Sequence, residues 1–256
     1  MATRMTNPLR ATGSRQIVQR LPWALTLVWL FAVLFVFGCG GGGGSGGGRQ
    51  ILPGENPVGP TTPTTPTTPA TSTPIIPTPT PVATPGAYII NGWIDMGYGN
   101  YSSAQQKFQT VLGLASSTSA EKADALNGIG WAKGKNYGIA AGANDFIQAG
   151  AVEEAIVGLA AAYVQSADPA KIVQAVSLLE SIGMGDPLKP FVPVHPSIGV
   201  TNAEVHAMLA YAYYWSGNEA GARAQINAAR ASVDPNAASS VNQIYQSLKQ
   251  LGLTGI

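Results

Sequence analysis

Cysteine, histidine and charge are all scarce in this chain of 256 residues. Cys39 is the one cysteine, which excludes an intramolecular disulfide and any multi-cysteine zinc or iron–sulfur site. The two histidines, His195 and His206, do not stand in an HExxH-type arrangement. Charged residues make up 11% of the sequence, against ~25% in an ordinary soluble domain. We therefore expect no disulfide-stabilised fold, no bound metal and no other cofactor.

The few charges are unevenly distributed along the chain. Fourteen Lys and Arg oppose thirteen Asp and Glu, which gives a formal net charge of +1. Arg4, Arg10, Arg15 and Arg20 all lie near the N-terminus, so the chain from Cys39 onward has ten cations, thirteen acids and a net charge of −3. A nucleic-acid binder needs a concentrated basic surface. Beyond the N-terminus the sequence has none, so we expect no nucleic-acid partner.

The N-terminus has the pattern of an export signal, with basic residues 1–20 followed by an uncharged apolar run over 21–38. The run ends in Val-Phe-Gly before Cys39, and this motif resembles the lipobox of bacterial lipoproteins. The resemblance implies a signal peptide over 1–38, a lipid on Cys39, and attachment to the outer face of the cytoplasmic membrane, the outer membrane or the cell surface. The alternative is an uncleaved helix over 21–38, which at 1.5 Å per residue is about 27 Å long, close to the hydrocarbon thickness.

Residues 39–86 read as a flexible linker. Glycine fills positions 38–48 apart from Cys39 and Ser45, and from Pro53 to Pro85 eleven of 33 residues are proline. Such a segment has too little apolar surface to collapse, and proline favours the extended polyproline II conformation. The sequence thus predicts a disordered stalk, rich first in glycine and then in Thr and Pro.

Residues 87–256 are predicted to form an all-α domain. Apolar residues from Val205 to Tyr213 recur at helical spacing, and Thr201 with Glu204 forms a capping box at the start of that run. Asp168-Pro169 and Asp234-Pro235 are read as further helix starts. The predicted helices are 87–97, 101–115, 119–133, 139–149, 152–166, 169–182, 202–216, 219–232 and 236–250.

A pattern of small and large residues recurs within this domain. A small residue is followed 12 positions later by a second small residue and 4 positions after that by a large one. The copies are Gly92, Ala104, Phe108; Gly130, Gly142, Phe146; and Ala210, Ala222, Ile226, with a longer fourth copy of Gly158, Ala175, Leu179. Small residues at fixed points let paired helices approach closely, and the large residue fills the space beside the contact.

This residue pattern resembles the tetratricopeptide repeat (TPR) family. The resemblance implies a right-handed α–α solenoid of about four TPR-like helix pairs, closed by the half-polar C-terminal helix 236–250. A proline-rich loop at 183–201 is expected to contain no helix and to pack back onto the helices. The family consists mainly of interaction scaffolds, so the resemblance implies a protein or peptide partner.

Catalytic signals are absent from the sequence. The serine pairs read as turn and capping residues, and Glu153-Glu154 is explained by a favourable position at a helix N-terminus. The glycine run before residue 49 is not followed by Lys-Ser/Thr, so it is no phosphate loop. Both histidines read as surface or loop-packing residues. We expect no enzyme.

Aromatic side chains are the remaining candidates for recognition. Five of them are predicted either to line a groove for a partner or to pack between repeats: Trp93, Tyr98, Trp131, Tyr211 and Trp215. Tyr and Trp suit protein hot spots and also stack on sugar rings. The expected function is a membrane-anchored envelope lipoprotein that acts as a protein-binding scaffold or assembly adaptor. The alternative is a surface lipoprotein that binds glycans through exposed Tyr and Trp.

Overall fold

The computed structural model describes residues 84–256, which form nine α-helices, two 3-10 helices and no β-strand. The helices are α1 Pro85–Gly97, α2 Tyr101–Gly113, α3 Ser119–Tyr137, α4 Ala143–Ala149, α5 Glu153–Gln165, α6 Pro169–Ser181, α7 Asn202–Trp215, α8 Glu219–Arg230 and α9 Ser240–Gln250. The 3-10 helices are Ile139–Gly142 and Pro196–Ile198. The predicted all-α class is confirmed. The predicted signal peptide, Cys39 and the linker up to residue 83 lie outside the described residues.

Side-chain caps set the starts of several helices. Thr118 accepts a hydrogen bond from the backbone N–H of Glu121, and the carboxylate of Glu121 accepts one from the N–H of Thr118 in return. Thr201 and Glu204 form the same reciprocal pair at the start of α7. Each pair satisfies backbone donors that the first turn of a helix leaves without an intrahelical partner. The predicted start of α7 is therefore correct to the residue.

Two predicted boundaries need correction. The first helix begins inside the predicted linker, because Thr84 caps it and proline is tolerated at its first position, Pro85. Asp234 and Pro235 do not begin a helix. The carboxylate of Asp234 instead accepts the N–H of Asn236 in a turn, and the side chain of Asn242 donates to the carbonyl of Asp234. Those contacts close the turn, so α9 begins only after the Ser239 cap.

The helices pack in sequence order. Each helix contacts the next one along the chain, and each odd-numbered helix also contacts the next odd-numbered helix, from α1·α3 to α7·α9. The helices α3, α5 and α7 therefore have neighbours on several sides, which explains why most residues of α5 and α7 and eight of the 19 in α3 are buried. Contacts therefore link α1, α3, α5, α7 and α9 in one continuous series.

One packing unit occurs twice. Phe108 lies against both Gly92 and Gly128, where an added Cβ would come within 2.6 and 2.5 Å of its ring. Phe146 lies in the same way against Gly130 and Gly158, each leaving 2.5 Å to an added Cβ. Trp93 meets Phe108 edge-on at a centroid distance of 5.1 Å, and Trp131 meets Phe146 edge-on at 5.3 Å. Both phenylalanines thus fill space that glycines on two neighbouring helices leave open.

The remaining residues of the predicted repeats are also buried. Gly142 lies so close to α3 that an added Cβ would be 2.2 Å from the carbonyl oxygen of Gly130. The predicted helix 139–149 is accordingly divided, with a 3-10 turn at this contact before α4. The other predicted packing residues have no exposed surface: Ala104, Ala175, Leu179, Ala210, Ala222 and Ile226.

Residues 183–201, hereafter the strap, connect α6 to α7. The strap contains the short 3-10 helix Pro196–Ile198, so the prediction of a loop without any helix is wrong at that point. Phe191 and Ile198 on the strap are buried, and the 3-10 helix packs against α1. The strap therefore packs back onto the helices and brings residues near position 195 against the first helix of the array.

Candidate functional site

His195 joins the strap to the odd-numbered helices. Its ring lies parallel to the indole of Trp93 on α1, at a centroid distance of 3.8 Å and an interplanar angle of 9°. Its Nδ1 lies 2.7 Å from Oε2 of Glu154 on α5, and its Nε2 lies 3.8 Å from Oδ1 of Asp124 on α3. One imidazole ring thus contacts three helices that are far apart in sequence.

Glu154 is the buried carboxylate at the centre of this cluster, with 2% of its surface exposed. It accepts hydrogen bonds from the backbone N–H of His195 at 2.6 Å and from Nδ2 of Asn127 at 2.8 Å. Burial alone would raise the pKa of Glu154, but the hydrogen bonds from the ring and amide of His195, the electrostatic attraction of His195 and the hydrogen bond from Asn127 together outweigh burial and lower this pKa. An ionised carboxylate only accepts hydrogen bonds, so Nδ1 of His195 is the donor.

Asp124 lies at the more open edge of the same cluster. Its Oδ1 accepts the indole N–H of Trp93 at 3.1 Å. Burial raises the pKa of Asp124 above its ordinary value. His195 and the hydrogen bond from Trp93 lower this pKa, but they offset only part of the effect of burial. The two acids therefore shift in opposite directions, because Glu154 receives the stronger set of donors.

A second group of polar contacts fixes the base of the strap. Gln225 on α8 donates through Nε2 to the carbonyls of Met184 and Gly185, at 2.9 and 3.0 Å. His206 on α7 is fully buried, and its two ring nitrogens lie 2.5 Å from Oε1 of Gln225 and 3.1 Å from the carbonyl of Lys189. Both histidines therefore pack the strap against the helices, which is one of the two roles, surface or loop packing, that the sequence left open.

The outer side of the strap is apolar and exposed. Leu188 is 87% exposed, Val194 80% and Val192 74%. The N–H of Phe191 donates to Oδ1 of Asn202 at 2.7 Å, so the segment beneath these side chains is held in place. The strap is thus fixed on its inner side and presents aliphatic side chains on its outer side.

The two predicted tryptophans on α1 and α3 are buried. Trp93 is enclosed by His195 and Phe108, and Trp131 packs against Phe146. Burial corrects the expectation that these two rings line an open groove. Trp93 still belongs to the candidate site, because its indole supports the strap.

The other three predicted aromatic residues do not share a surface either. Tyr211 is buried on α7 and lies 6.1 Å from the half-buried ring of Trp215. Tyr98, which follows the last residue of α1, is 79% exposed. The structure therefore favours packing between helices for Tyr211 and leaves Tyr98 as the open aromatic residue of the five. The glycan alternative stays a prediction, and of the five residues Tyr98 is the exposed one.

The roles of Glu154 and Asp124 in this cluster could not be seen in the sequence. Glu154 was explained by its position at a helix N-terminus, yet its carboxylate binds His195, which is 41 residues away in the sequence. Asp124 carried no sequence signal.

Residues 84–256 contain no group of three or more His, Cys, Asp or Glu side chains placed to hold a metal ion. Over the same range, no helix is both long and apolar enough to cross a membrane, and the apolar run 21–38 lies outside it.

Comparison with known proteins gives no relative. The chain matches no protein-family model, and neither a curated protein nor a solved structure matches it.

Proposed function

We propose that this chain is a membrane-anchored envelope protein that binds another protein through the outer side of its strap. The lipid on Cys39, or an uncleaved helix 21–38, is the anchor, and residues 39–83 are the flexible linker. The observation that carries the proposal is the exposure of Leu188, Val192 and Val194 on a segment whose inner side contacts five helices, α1, α3, α5, α7 and α8.

The helical array is proposed to be a right-handed α–α solenoid of TPR-like pairs. Three features support this: the sequence-ordered packing of the helices, the contacts between successive odd-numbered helices, and the twice-repeated Phe108 and Phe146 units. Solenoid domains are mostly interaction scaffolds. The binding role proposed for this chain is therefore inferred by analogy of fold. It supports a binding role and names no partner.

The strap occupies part of the inner face of the proposed solenoid, so a partner binds elsewhere. In the proposed solenoid the odd-numbered helices form the inner face, and the strap already lies on α1, α3 and α5 through His195. Glu154 and Trp93 are engaged by the strap and are not open to a ligand. A partner therefore contacts the strap itself.

The strap is suited to binding because its conformation is set before contact. Pro190, Pro193 and Pro196 restrict the backbone, and the N–H groups of Phe191 and His195 are held by Asn202 and Glu154. A preordered segment loses little conformational entropy when it binds. Scarce charge in the sequence favours recognition by shape and apolar contact over electrostatic steering.

Photo-crosslinking in the native membrane tests the binding surface. A photoreactive amino acid at Val192 is expected to give a specific crosslinked protein product. The matched control is Val173 on α6, which is also exposed and apolar but lies outside the strap. Crosslinking at Val192 no stronger than at Val173 contradicts the proposal, and crosslinking to polysaccharide instead of protein would favour the glycan alternative.

Metabolic labelling with a palmitate analogue tests the anchor separately. Labelled chain that disappears on Cys39→Ser supports lipidation. A chain that is unlabelled yet remains in the membrane fraction identifies the apolar segment 21–38 as the anchor, and an unlabelled chain in the soluble fraction contradicts both forms of anchoring.

A further inference from the structure

Two buried polar atoms on α3 have no hydrogen-bond partner among residues 84–256. They are Oδ1 of Asn127, which accepts hydrogen bonds, and Nε1 of Trp131, which donates one. Asn127 has no exposed surface, and Trp131 is 1% exposed. A buried polar group without a partner destabilises a fold, so nearly all such groups bond to protein or to an ordered water. These two atoms therefore call for a partner other than the domain itself.

Helix geometry places the two side chains on one face of α3. Asn127 and Trp131 are four residues apart, a spacing that brings Cβ atoms to about 5–6 Å from each other. Two hydrogen bonds in series through one water molecule, at about 2.8–3.0 Å each, span a similar distance. Nδ2 of Asn127 donates to Oε2 of Glu154 at 2.8 Å, so Oδ1 of the same amide is left to accept from another donor.

The first packing unit shows where an indole N–H at this position is directed. Trp93 directly follows Gly92, and its Nε1 donates to Oδ1 of Asp124 at 3.1 Å. Asp124 lies four residues before Gly128, the glycine of α3 that faces the ring of Phe108. The indole on one odd-numbered helix therefore reaches the acid about one turn before the contacted glycine of the next.

The second packing unit has the same arrangement with a different acid. Trp131 directly follows Gly130, and the ring of Phe146 contacts Gly158 on α5. Glu154 lies four residues before that glycine. By equivalence with the first unit, the indole N–H of Trp131 is directed towards Glu154.

The carboxylate of Glu154 is already engaged by other donors. Its Oε1 accepts the backbone N–H of His195, and its Oε2 accepts from Nδ1 of His195 and Nδ2 of Asn127. Trp131 makes no hydrogen bond to it, unlike Trp93 to its acid. The unpartnered donor and the unpartnered acceptor therefore both lie beside this one carboxylate.

We propose that a single buried water molecule bridges these two side chains, accepting the N–H of Trp131 and donating to Oδ1 of Asn127. The site needs a small ligand that both accepts and donates, and water does both. Buried waters typically bridge about two to four polar groups that otherwise lack partners. The water holds the Asn127 amide with Nδ2 towards Glu154, and so it supports the acid that binds His195. This inference does not depend on the protein-binding role of the strap.

NMR of the full chain in detergent micelles tests the site. The chain has five tryptophans, and selective ¹⁵N labelling limits the spectrum to their signals. Trp131→Phe and Trp93→Phe identify the two indole N–H signals that matter. A cross peak between water and the N–H of Trp131 is expected, with opposite signs in the NOE and ROE spectra, because a bridging water stays bound longer than the molecule takes to tumble. Trp93 is the matched control and should give no such peak, because its N–H is bonded to Asp124.

A substitution tests whether Asn127 is the second partner. Asn127→Leu removes the acceptor and is expected to abolish the cross peak of Trp131. Asn136→Leu makes the same change at an exposed position of α3 and should retain it. An unchanged Trp93 signal shows that each variant is folded. A cross peak that survives Asn127→Leu overturns the bridge.

The wild-type spectrum decides the inference even if Asn127→Leu does not fold. A wild-type Trp131 signal without the water cross peak overturns it. Coupling across a direct hydrogen bond from the indole of Trp131 to Asn127 or Glu154 overturns it as well, because the donor is then satisfied by the protein.

Discussion

The imidazole of His195 and the indole of Trp93 are stacked in parallel, 3.8 Å apart, although 102 residues separate them in the chain. This contact fastens the strap to the first helix, and the hydrogen bonds of Glu154 to the same histidine fasten it to α5. At this point of the strap, the side chain of His195 contacts α1, α3 and α5 together.

Glu154→Gln is expected to loosen the strap. The variant replaces an ionised acceptor of three hydrogen bonds by an amide whose N–H₂ group opposes the donors of His195 and Asn127. Hydrogen bonds to charged groups contribute about 1.5–3 kcal/mol each, so we expect a loss of unfolding free energy of that order and faster exchange of the His195 amide. Urea unfolding and hydrogen exchange measure the two effects.

Glu153→Gln is the matched control for that experiment. Glu153 is the exposed neighbour of Glu154 at the start of α5, so its substitution is expected to change the unfolding free energy by no more than about 0.5 kcal/mol. Equal effects of the two substitutions would contradict the role of Glu154.

Acid is expected to remove the contribution of Glu154. Because folding lowers the pKa of this carboxyl below its usual 4.5, its stabilising contribution is fully present above pH 4.5 and is lost as the pH falls through the folded-state pKa. The difference in unfolding free energy between the wild type and Glu154→Gln should therefore shrink below pH 4.5. A difference that stays constant down to pH 3 would show that the carboxylate charge is not what holds the strap.

Asp124 is expected to show the opposite pH dependence. Burial raises its pKa above the usual 3.8, so the ionised form is less favourable in the folded state, and the associated penalty is relieved as the pH falls through the raised value. Relative to Asp124→Asn, the wild type should become more stable on mild acidification. NMR titration of the Asp124 carboxyl carbon measures the shift directly, and a midpoint below 3.8 would contradict the prediction.

Gly142→Ala is expected to destabilise the domain by about 1–3 kcal/mol, the usual cost of overpacking a core. The added Cβ would meet the carbonyl oxygen of Gly130, which is backbone and moves only if the helix moves. Gly97→Ala is the control, because nothing lies within 4 Å of an added Cβ at that helical position. Thermal unfolding should separate the two variants by several degrees. Similar melting temperatures would contradict the close approach of α3 to residue 142.

Phe108→Ala and Phe146→Ala are expected to have similar effects, each a loss of about 3–5 kcal/mol, because both rings fill the space between two glycine-bearing helices. Tyr98→Ala removes an aromatic ring that is mostly exposed and should have little effect. Unequal losses for the two phenylalanines, measured by chemical unfolding, would contradict the equivalence of the two packing units.

The helices and the packing residues could be predicted from the sequence because their signals are local. A capping box such as Thr201 and Glu204 acts over three residues. The spacing from Gly130 to Gly142 and Phe146 lies within one helix pair. Each of these patterns is governed by the geometry of a helix or of two helices in contact.

The polar cluster could not be predicted in the same way. Glu154 lies at a helix N-terminus, where an acid is favourable for a local reason, so its contact with His195 left no trace in the local pattern. The path of the strap depends on where α1 and α5 are placed relative to each other. The burial of Trp93 and Trp131 is likewise not visible in the sequence, which shows the chemistry of a ring but not its surroundings.

The strap also has a mechanical consequence. Residue 84 immediately precedes α1, so a force applied to the chain at that end acts first on this helix. A terminal helix of a stacked array is normally the easiest to peel away, because it has a neighbour on one side only. The stacking of His195 on Trp93 adds a clamp from the far third of the sequence. Such a force is therefore shared between α1 and α5 from the outset, and the helices resist unzipping from their N-terminal end.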